Sequence, residues 1–325
     1  MERCNWAVLG CGTAANEFAQ AMGKGGRCPW GVANRTYDNA VAFAQRYGVP
    51  KVYPDIEDVF HDDEVDIIYI ATPHDTHADY LTRALRCGKH VLCEKSITLN
   101  SAELSAAMEL AREKGLVLAE AMTLYHMPLY ERLHELIQSG ALGPLRMIQV
   151  SFGSYKGYDM TNRFFDPDQA GGALLDIGVY ALSFARWFMS ERPDRVLSQV
   201  KLAPSGVDEQ AGILLMDPSQ EMATITLSLH AKQPKRGVAV YDRGYIEIWD
   251  YPRAEKATIV YTQDGRRETI EAGRTADALL YEIEDMERAV SSEADGMYLG
   301  HTADVMDVMT AIRREWGLVY PKERP

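Results

Sequence analysis

Apolar positions fall into two rhythms along the chain. Over the first 120 residues, short buried-type runs predict strands at Trp6–Leu9, Gly31–Ala33, Asp66–Ala71, His90–Cys93 and Leu116–Ala119. Between them, apolar residues recur at helical spacing over Ala14–Met22, Asp38–Tyr47, Asp55–His61, Thr76–Arg86 and Ser101–Lys114. Gly48, Gly88 and Gly115 each stand just past a helical run, where a left-handed residue ends a helix. Asn100 suits an N-cap before Ser101, with Glu103 as the capping-box acid three residues on. Strands alternating with helices of this length imply a parallel sheet covered on both faces.

After about residue 140 the period shortens to two. Strands are expected at Leu145–Phe152, Arg195–Leu202, Gln210–Met216, Ala223–His230, Val238–Tyr241, Tyr245–Trp249 and Thr258–Tyr261. Alternating strands divided by turns such as Asp217-Pro218 and Asp264-Gly265 suit an antiparallel sheet with one covered face. Helices over Ala173–Met189 and Ala276–Val290 interrupt or close this sheet, and a third, Ala303–Glu315, has an open partner. The expected organisation is a parallel α/β domain over residues 1–120 and an α+β domain over 121–325, with a large, mostly antiparallel sheet.

Composition narrows the function classes. The 325 residues are 46% apolar and 25% charged, enough apolar content for sizeable cores. The net charge of −13 opposes nucleic acid and anionic membrane surfaces, and no apolar run reaches the ~18 residues of a membrane span. The N-terminus lacks the apolar core of a signal peptide. Cys4, Cys11, Cys28, Cys87 and Cys93 form no C-x-x-C pair, so neither a disulfide framework nor a zinc site is expected, and a reducing, cytoplasmic setting is.

In open parallel sheets, ligands bind beyond the carboxyl ends of the strands. There the first strand runs into Gly10-Cys11-Gly12-Thr13-Ala14-Ala15, a G-x-G-x-x-A form of the dinucleotide fingerprint. Gly10 would make the tight turn, Gly12 would let a pyrophosphate approach, and the helix N-terminus would face the phosphates. The second strand ends at Asn34-Arg35, with no acid to hold a ribose 2′-hydroxyl; Arg35 suits a 2′-phosphate, so NADP(H) is expected over NAD(H). The third ends at Thr72-Pro73-His74-Asp75-Thr76-His77, a turn lining the cofactor cleft in which two histidines lack a third metal ligand. The fourth ends at Glu94-Lys95-Ser96, a charged pair at a buried strand's mouth. In the second domain, Asp176 and Tyr180 stand four apart on an apolar helix interrupted by Gly178, whose missing side chain implies a close neighbour.

Four segments together resemble the glucose–fructose oxidoreductase / inositol dehydrogenase (Gfo/Idh/MocA) family: Gly10-Cys11-Gly12, Ala71-Thr72-Pro73, Gly88-Lys89-His90-Val91-Leu92-Cys93-Glu94-Lys95, and Gly171-Gly172-Ala173-Leu174-Leu175-Asp176-Ile177-Gly178-Val179-Tyr180. The resemblance implies a doubly wound Rossmann domain, then a domain whose open sheet face often makes a homodimer or higher oligomer. It implies hydride transfer between a nicotinamide and a hydroxyl-bearing carbon of a sugar, inositol or cyclic diol. The family's lysine falls on Lys95, and its Asp and His or Tyr fall on Asp176 and Tyr180. Tyrosine there is most similar to the branch holding dimeric dihydrodiol and xylose dehydrogenases. Where the family has proline after the lysine, this chain has Ser96, which leaves the Lys95–Ser96 peptide either trans, with Lys95 redirected, or cis.

The resulting hypothesis makes Lys95, Tyr180 and Asp176 catalytic. Tyr180, its phenol lowered from ~10 by the lysine charge, would exchange the hydroxyl proton, and Lys95 would stabilise the oxygen. Expected cofactor contacts are Gly10, Gly12, Thr13, Ala14, Asn34, Arg35, Thr72, Pro73, His77, Glu94 and Lys95. His126, Asp159 and Arg163 are candidate substrate contacts beside Asp176 and Tyr180, and no metal is expected. A cofactor-binding regulator and a nicotinamide-retaining glycosidase are the alternatives.

Overall fold

A computed structural model describes residues 4–292 and 297–323. They form two compact units. One holds the described residues up to Ala121 together with those between Asp277 and Leu299; the other holds Met122–Ala276 and the described residues from Gly300 on.

The first unit runs β1 (Trp6–Leu9), α1 (Thr13–Lys24), β2 (Gly31–Ala33), α2 (Tyr37–Tyr47), β3 (Lys51–Val52), α3 (Ile56–Phe60), β4 (Ile67–Ile70), α4 (His77–Arg86), β5 (His90–Glu94), α5 (Ser101–Lys114) and β6 (Leu118–Ala121). All six strands are parallel, in the order β3-β2-β1-β4-β5-β6. The direction of winding reverses between β1 and β4, which is where a doubly wound sheet opens a ligand crevice. Local signals set the helix ends. The Asn100 side chain accepts the Glu103 N–H at 3.0 Å, while Glu103 accepts the Leu99 N–H at 3.0 Å. Gly48 and Gly115 end α2 and α5 at φ 70° and 65°.

The second unit contains α6 (Pro128–Gln138), β7 (Leu145–Gly153), α7 (Val179–Phe188), β8 (Arg195–Leu202), β9 (Asp208–Met216), β10 (Met222–Ser228), β11 (Gln233–Tyr241), β12 (Gly244–Trp249), β13 (Lys256–Tyr261) and β14 (Arg267–Glu271). Its eight strands lie in the order β14-β13-β12-β11-β7-β10-β9-β8, antiparallel except where β10 runs parallel to β7. One sheet face receives α7 so closely that a Cβ on Gly237 would lie 2.3 Å from the Phe184 ring.

Two helices follow the sheet, α8 (Ala278–Ser292) and α9 (Leu299–Trp316). The helix expected to close the antiparallel sheet, α8, instead belongs to the first unit. Leu279, Ile283, Met286 and Ala289 join the core of Trp6, Phe18 and Tyr69. Glu287 accepts from Trp6 Nε1 at 2.8 Å and pairs with Arg27. Its stripe has helical period, but period does not say which sheet a stripe covers. The helix left open, α9, stays with the second unit through Arg186–Asp304 at 2.7 Å and Trp316 Nε1–Ser198 Oγ at 2.9 Å.

Candidate active site

The nucleotide half is built at the mouths of β1, β2, β4 and β5. Gly10 has φ 103°, and a Cβ there would lie 2.5 Å from the Ala71 carbonyl oxygen, so the β1 turn tolerates only glycine. Gly12 differs: a Cβ built on it meets nothing within 4 Å. Gly12 and Thr13 are exposed at the start of α1, whose N-cap carries no side-chain hydrogen bond. Open space beside uncapped helix N–H groups fits a pyrophosphate. Ala14 is half-buried behind them, and the Asn16 side chain holds the turn from below through Gly12 O at 2.7 Å.

At the β2 mouth the Asn34 side chain donates to Thr36 O at 2.9 Å, leaving Arg35 exposed as the group that could meet a ribose phosphate. At the β4 mouth Thr72 and Thr76 share a 2.7 Å hydrogen bond around Pro73. His77 is fully buried, with Nδ1 2.9 Å from Ser96 O and Nε2 2.9 Å from Thr72 O. His74 Nε2 lies 3.0 Å from Lys95 O. The histidines therefore hold the two strand exits together. Burial pushes the His77 pKa down, opposed by the two carbonyl oxygens.

At the β5 mouth the Lys95–Ser96 peptide is cis, which settles the question raised by Ser96. Glu94 accepts the Tyr69 hydroxyl, so the acid of the pair has its partner inside the unit. Just beyond, Glu120 on β6, 1% exposed, accepts the Ile97 N–H at 3.0 Å and fixes the loop that follows Lys95. Glu120 was not among the expected residues. Its signal is an acid in the otherwise apolar run Leu118–Ala121.

The second half carries Asp176 and Tyr180. Asp176 lies in a π-helical turn, Leu174–Gly178, and not in the regular helix expected; the Val179 N–H reaches back to Leu174 O. Asp176 is 9% exposed, and Tyr180 is half-buried one turn into the continuing helix. Gly178 is where a neighbour comes close, since a Cβ there would lie 2.8 Å from Leu227 Cδ1 of β10. The Tyr180 ring lies 6.1 Å from that of Phe152 at the end of β7, and Lys235 Nζ lies 5.0 Å from the Phe152 centroid.

The remaining substrate candidates lie in the same unit. His126 is buried in the turn before α6, beside Tyr125, whose ring meets His301 edge-on at 5.9 Å. Arg163 is exposed and stacks on Phe164 at 4.1 Å. Asp159 is occupied locally, accepting the Thr161 N–H and hydroxyl at 2.9 and 2.8 Å. Among the described residues no group of three His, Cys, Asp or Glu side chains could hold a metal ion, and no helix is long and apolar enough to cross a membrane.

Residues 4–122 match the model of an oxidoreductase family with an NAD-binding Rossmann fold, and residues 130–248 match the GFO/IDH/MocA C-terminal domain. The chain is 31% identical over 249 residues to trans-1,2-dihydrobenzene-1,2-diol dehydrogenase of Mus musculus, covering 75% of this chain and 74% of that one. The Xenopus tropicalis protein of that name is 27% identical over 333 residues, covering 97% and 99%. Among solved structures, KijD10, a 3-ketoreductase from Actinomadura kijaniata with NADP and TDP-benzene, shares the fold at TM-score 0.85 and 23% identity, with 96% and 98% covered. Levoglucosan dehydrogenase with NADH and levoglucosan does so at TM-score 0.85 and 19% identity, with 97% of each chain covered. The chain belongs to the GFO/IDH/MocA family of oxidoreductases.

Proposed function

We propose that this protein is an NADP(H)-dependent dehydrogenase or reductase acting on the carbinol carbon of a sugar, inositol or cyclic diol. The observation that carries this reading is the glycine cradle: Gly12 leaves open the space a phosphate needs, on a chain that also keeps Lys95, Asp176 and Tyr180. The diol comes from the printed activity of the 31% identical mouse relative. Exposed Arg35, in place of a ribose-binding acid, supports the 2′-phosphate form.

When bound, the nicotinamide accepts or supplies the hydride. The chain's part is proton and charge management. Tyr180 Oη takes the hydroxyl proton in oxidation and returns it in reduction. The Lys95 ammonium stabilises negative charge as it develops on that oxygen. Asp176 accepts from the substrate hydroxyls and sets their orientation. A regulator would need no such proton-exchanging group, and a glycosidase would show no net nicotinamide consumption.

The uncovered face of the larger sheet supports a homodimer. Met216, Met222, Met147, Val240, Tyr245 and Val260 are cross-strand neighbours over six strands, forming one apolar row. Such a row on a sheet face suits a self-complementary interface. The unpaired cysteines fit a reducing, cytoplasmic compartment.

Titration with NADPH and NADH, then a screen of aldoses, inositols and vicinal cyclic diols, tests the reading. Tighter NADPH binding and absorbance change in proportion to product are expected. Glycoside cleavage without net absorbance change, or no turnover of any of these classes, would overturn it.

A further inference from the structure

The helix bearing Asp176 and Tyr180 starts against a carboxylate that the chemistry above does not use. Asp208 opens β9 and is fully buried. Its Oδ2 accepts the Leu174 N–H at 2.6 Å, and Leu174 opens the π turn that holds Asp176. Gly172 has φ 127°, and a Cβ on it would lie 2.1 Å from Asp208 Oδ1. The carboxylate thus fills the place of a side chain at 172, which accounts for the second glycine of Gly171-Gly172.

The same backbone is gripped from the C-terminal segment. Tyr320, 2% exposed, donates its hydroxyl to Gly171 O at 2.8 Å. The Arg313 guanidinium lies 4.6 Å from the Tyr320 ring and is paired with Glu323 at 2.7 and 2.8 Å. Glu323 also accepts the Tyr320 N–H at 3.0 Å. Two residues distant in sequence, Asp208 and Tyr320, therefore converge on residues 171–174.

The charged and titratable groups around Asp208 are few. Arg313 of α9 faces it, Glu323 lies behind Arg313, and the Tyr320 phenol stands beside it. The adjacent Glu209 is engaged by Lys201 at 2.6 Å and Tyr158 at 2.6 Å. Burial pushes the Asp208 carboxyl up to about 7, against the Leu174 N–H and the Arg313 charge. A buried carboxylate is costly, and a helix N-terminus is one of the few places that stabilise it.

We propose that Asp208 is a positioning residue of the active site, which with Tyr320 fixes the Gly171–Leu174 backbone and so the placement of Asp176 and Tyr180. This rests on the reading of Tyr180 as the proton-exchanging group. The ionised carboxylate holds the Leu174 amide through Oδ2; with a proton on Oδ1, which has no hydrogen-bond partner among the described residues, Oδ2 becomes a neutral and weaker acceptor and that hold loosens. Turnover is therefore expected to fall on the acid side of about pH 7, and Asp208→Asn separates this limb from any that Tyr180 contributes.

The test is the pH profile of kcat for the wild type, Asp208→Asn and Asp208→Ala, using the best substrate and cofactor pair. Asp208→Ala removes the acceptor and is expected to lower kcat at pH 8 by about tenfold or more, with a much smaller change in cofactor KM. Asp208→Asn keeps an acceptor oxygen but cannot titrate. Neutral like the protonated acid, it is expected to stay near the wild type's low-pH turnover, above Asp208→Ala, and to have no limb near pH 7. If the alanine variant does not fold, the asparagine profile alone decides. An active wild type without that limb, or a limb that survives in Asp208→Asn, overturns the proposal. A wild type inactive on every sugar, inositol and diol instead contradicts the function on which it rests.

Discussion

His77 sets one ring nitrogen 2.9 Å from the carbonyl oxygen of Ser96, and its other nitrogen reaches Thr72 O at the same distance. One buried imidazole thereby ties the exit of β4 to the exit of β5, the strand that delivers Lys95. A neutral ring donates to one of the two carbonyls at a time, and removing it takes that donor away from the buried Ser96 exit and the part-buried Thr72 exit. His77→Phe is expected to cost about 1–3 kcal/mol in urea unfolding, the usual loss for a buried polar group left unpaired. A loss below about 0.5 kcal/mol, the range of ordinary surface changes, would show that the brace carries no weight.

Gly10 and Gly12 make a contrasting pair. At Gly10 an added Cβ would stand 2.5 Å from a backbone oxygen at φ 103°, whereas at Gly12 it enters open space. Gly10→Ala is expected to lower the melting temperature by several degrees, about 1–3 kcal/mol of backbone strain. Gly12→Ala is expected to melt as the wild type does but to bind NADPH about tenfold or more weakly, because its methyl enters the phosphate cradle. Equal cofactor affinity in Gly12→Ala would move the dinucleotide elsewhere.

On the proposed reading Arg35 bears on cofactor choice alone. Arg35→Ala is expected to raise the NADPH dissociation constant by about tenfold or more, as befits loss of a charge-assisted contact, while leaving NADH binding nearly unchanged. Parallel fluorescence titrations measure both. Equal weakening toward the two cofactors would contradict the assignment of Arg35 to the 2′-phosphate.

Acid stability has a distinct source in the first unit. Burial works against the charge of Asp62. Hydrogen bonds from Lys51 at 2.7 Å, Tyr53 at 2.5 Å, the Glu64 N–H at 3.1 Å and Trp30 at 3.4 Å outweigh it and hold the carboxyl well below its usual range. A depressed folded-state pKa contributes stability that is present above about pH 4, the unfolded value, and is lost as pH falls below it. Asp62→Asn should therefore destabilise the protein at pH 7 and flatten the fall in stability between about pH 4 and 2. A variant with an unchanged acid profile would refute the assignment.

Much of the first unit was legible because its signals are local. Asn100, Glu103, Gly48 and Gly115 act within a few residues of themselves, so α2 and α5 end where the sequence says. Strands β1 and β2 are short apolar runs flanked by turns. Elements with weaker or absent apolar pattern were not legible: β3 is two residues long, and β14 reads Arg-Glu-Thr-Ile-Glu on the sheet edge. Helix α6 did carry a readable signal, Pro128 at its first turn with Leu129 and Leu133 one turn apart.

The candidate residues divide the same way. Lys95, Asp176 and Tyr180 stand out by type and place, and Gly178 announces a close neighbour without naming Leu227. Glu120 stands out as an acid in an apolar run without naming Ile97, while Asp208 and Tyr320 announce nothing, because each acts on the backbone of a segment far away in sequence. The home of α8 is equally tertiary, since its stripe would fit any apolar surface.

The central claim is that Tyr180 exchanges the proton while hydride moves to or from the nicotinamide. The most direct measurement is steady-state turnover of Tyr180→Phe, followed by nicotinamide absorbance, alongside its NADPH dissociation constant. The account predicts a fall in kcat of about 10²–10⁴, the usual worth of a general acid or base, with cofactor affinity changed by less than about threefold. Wild-type turnover in that variant would contradict it.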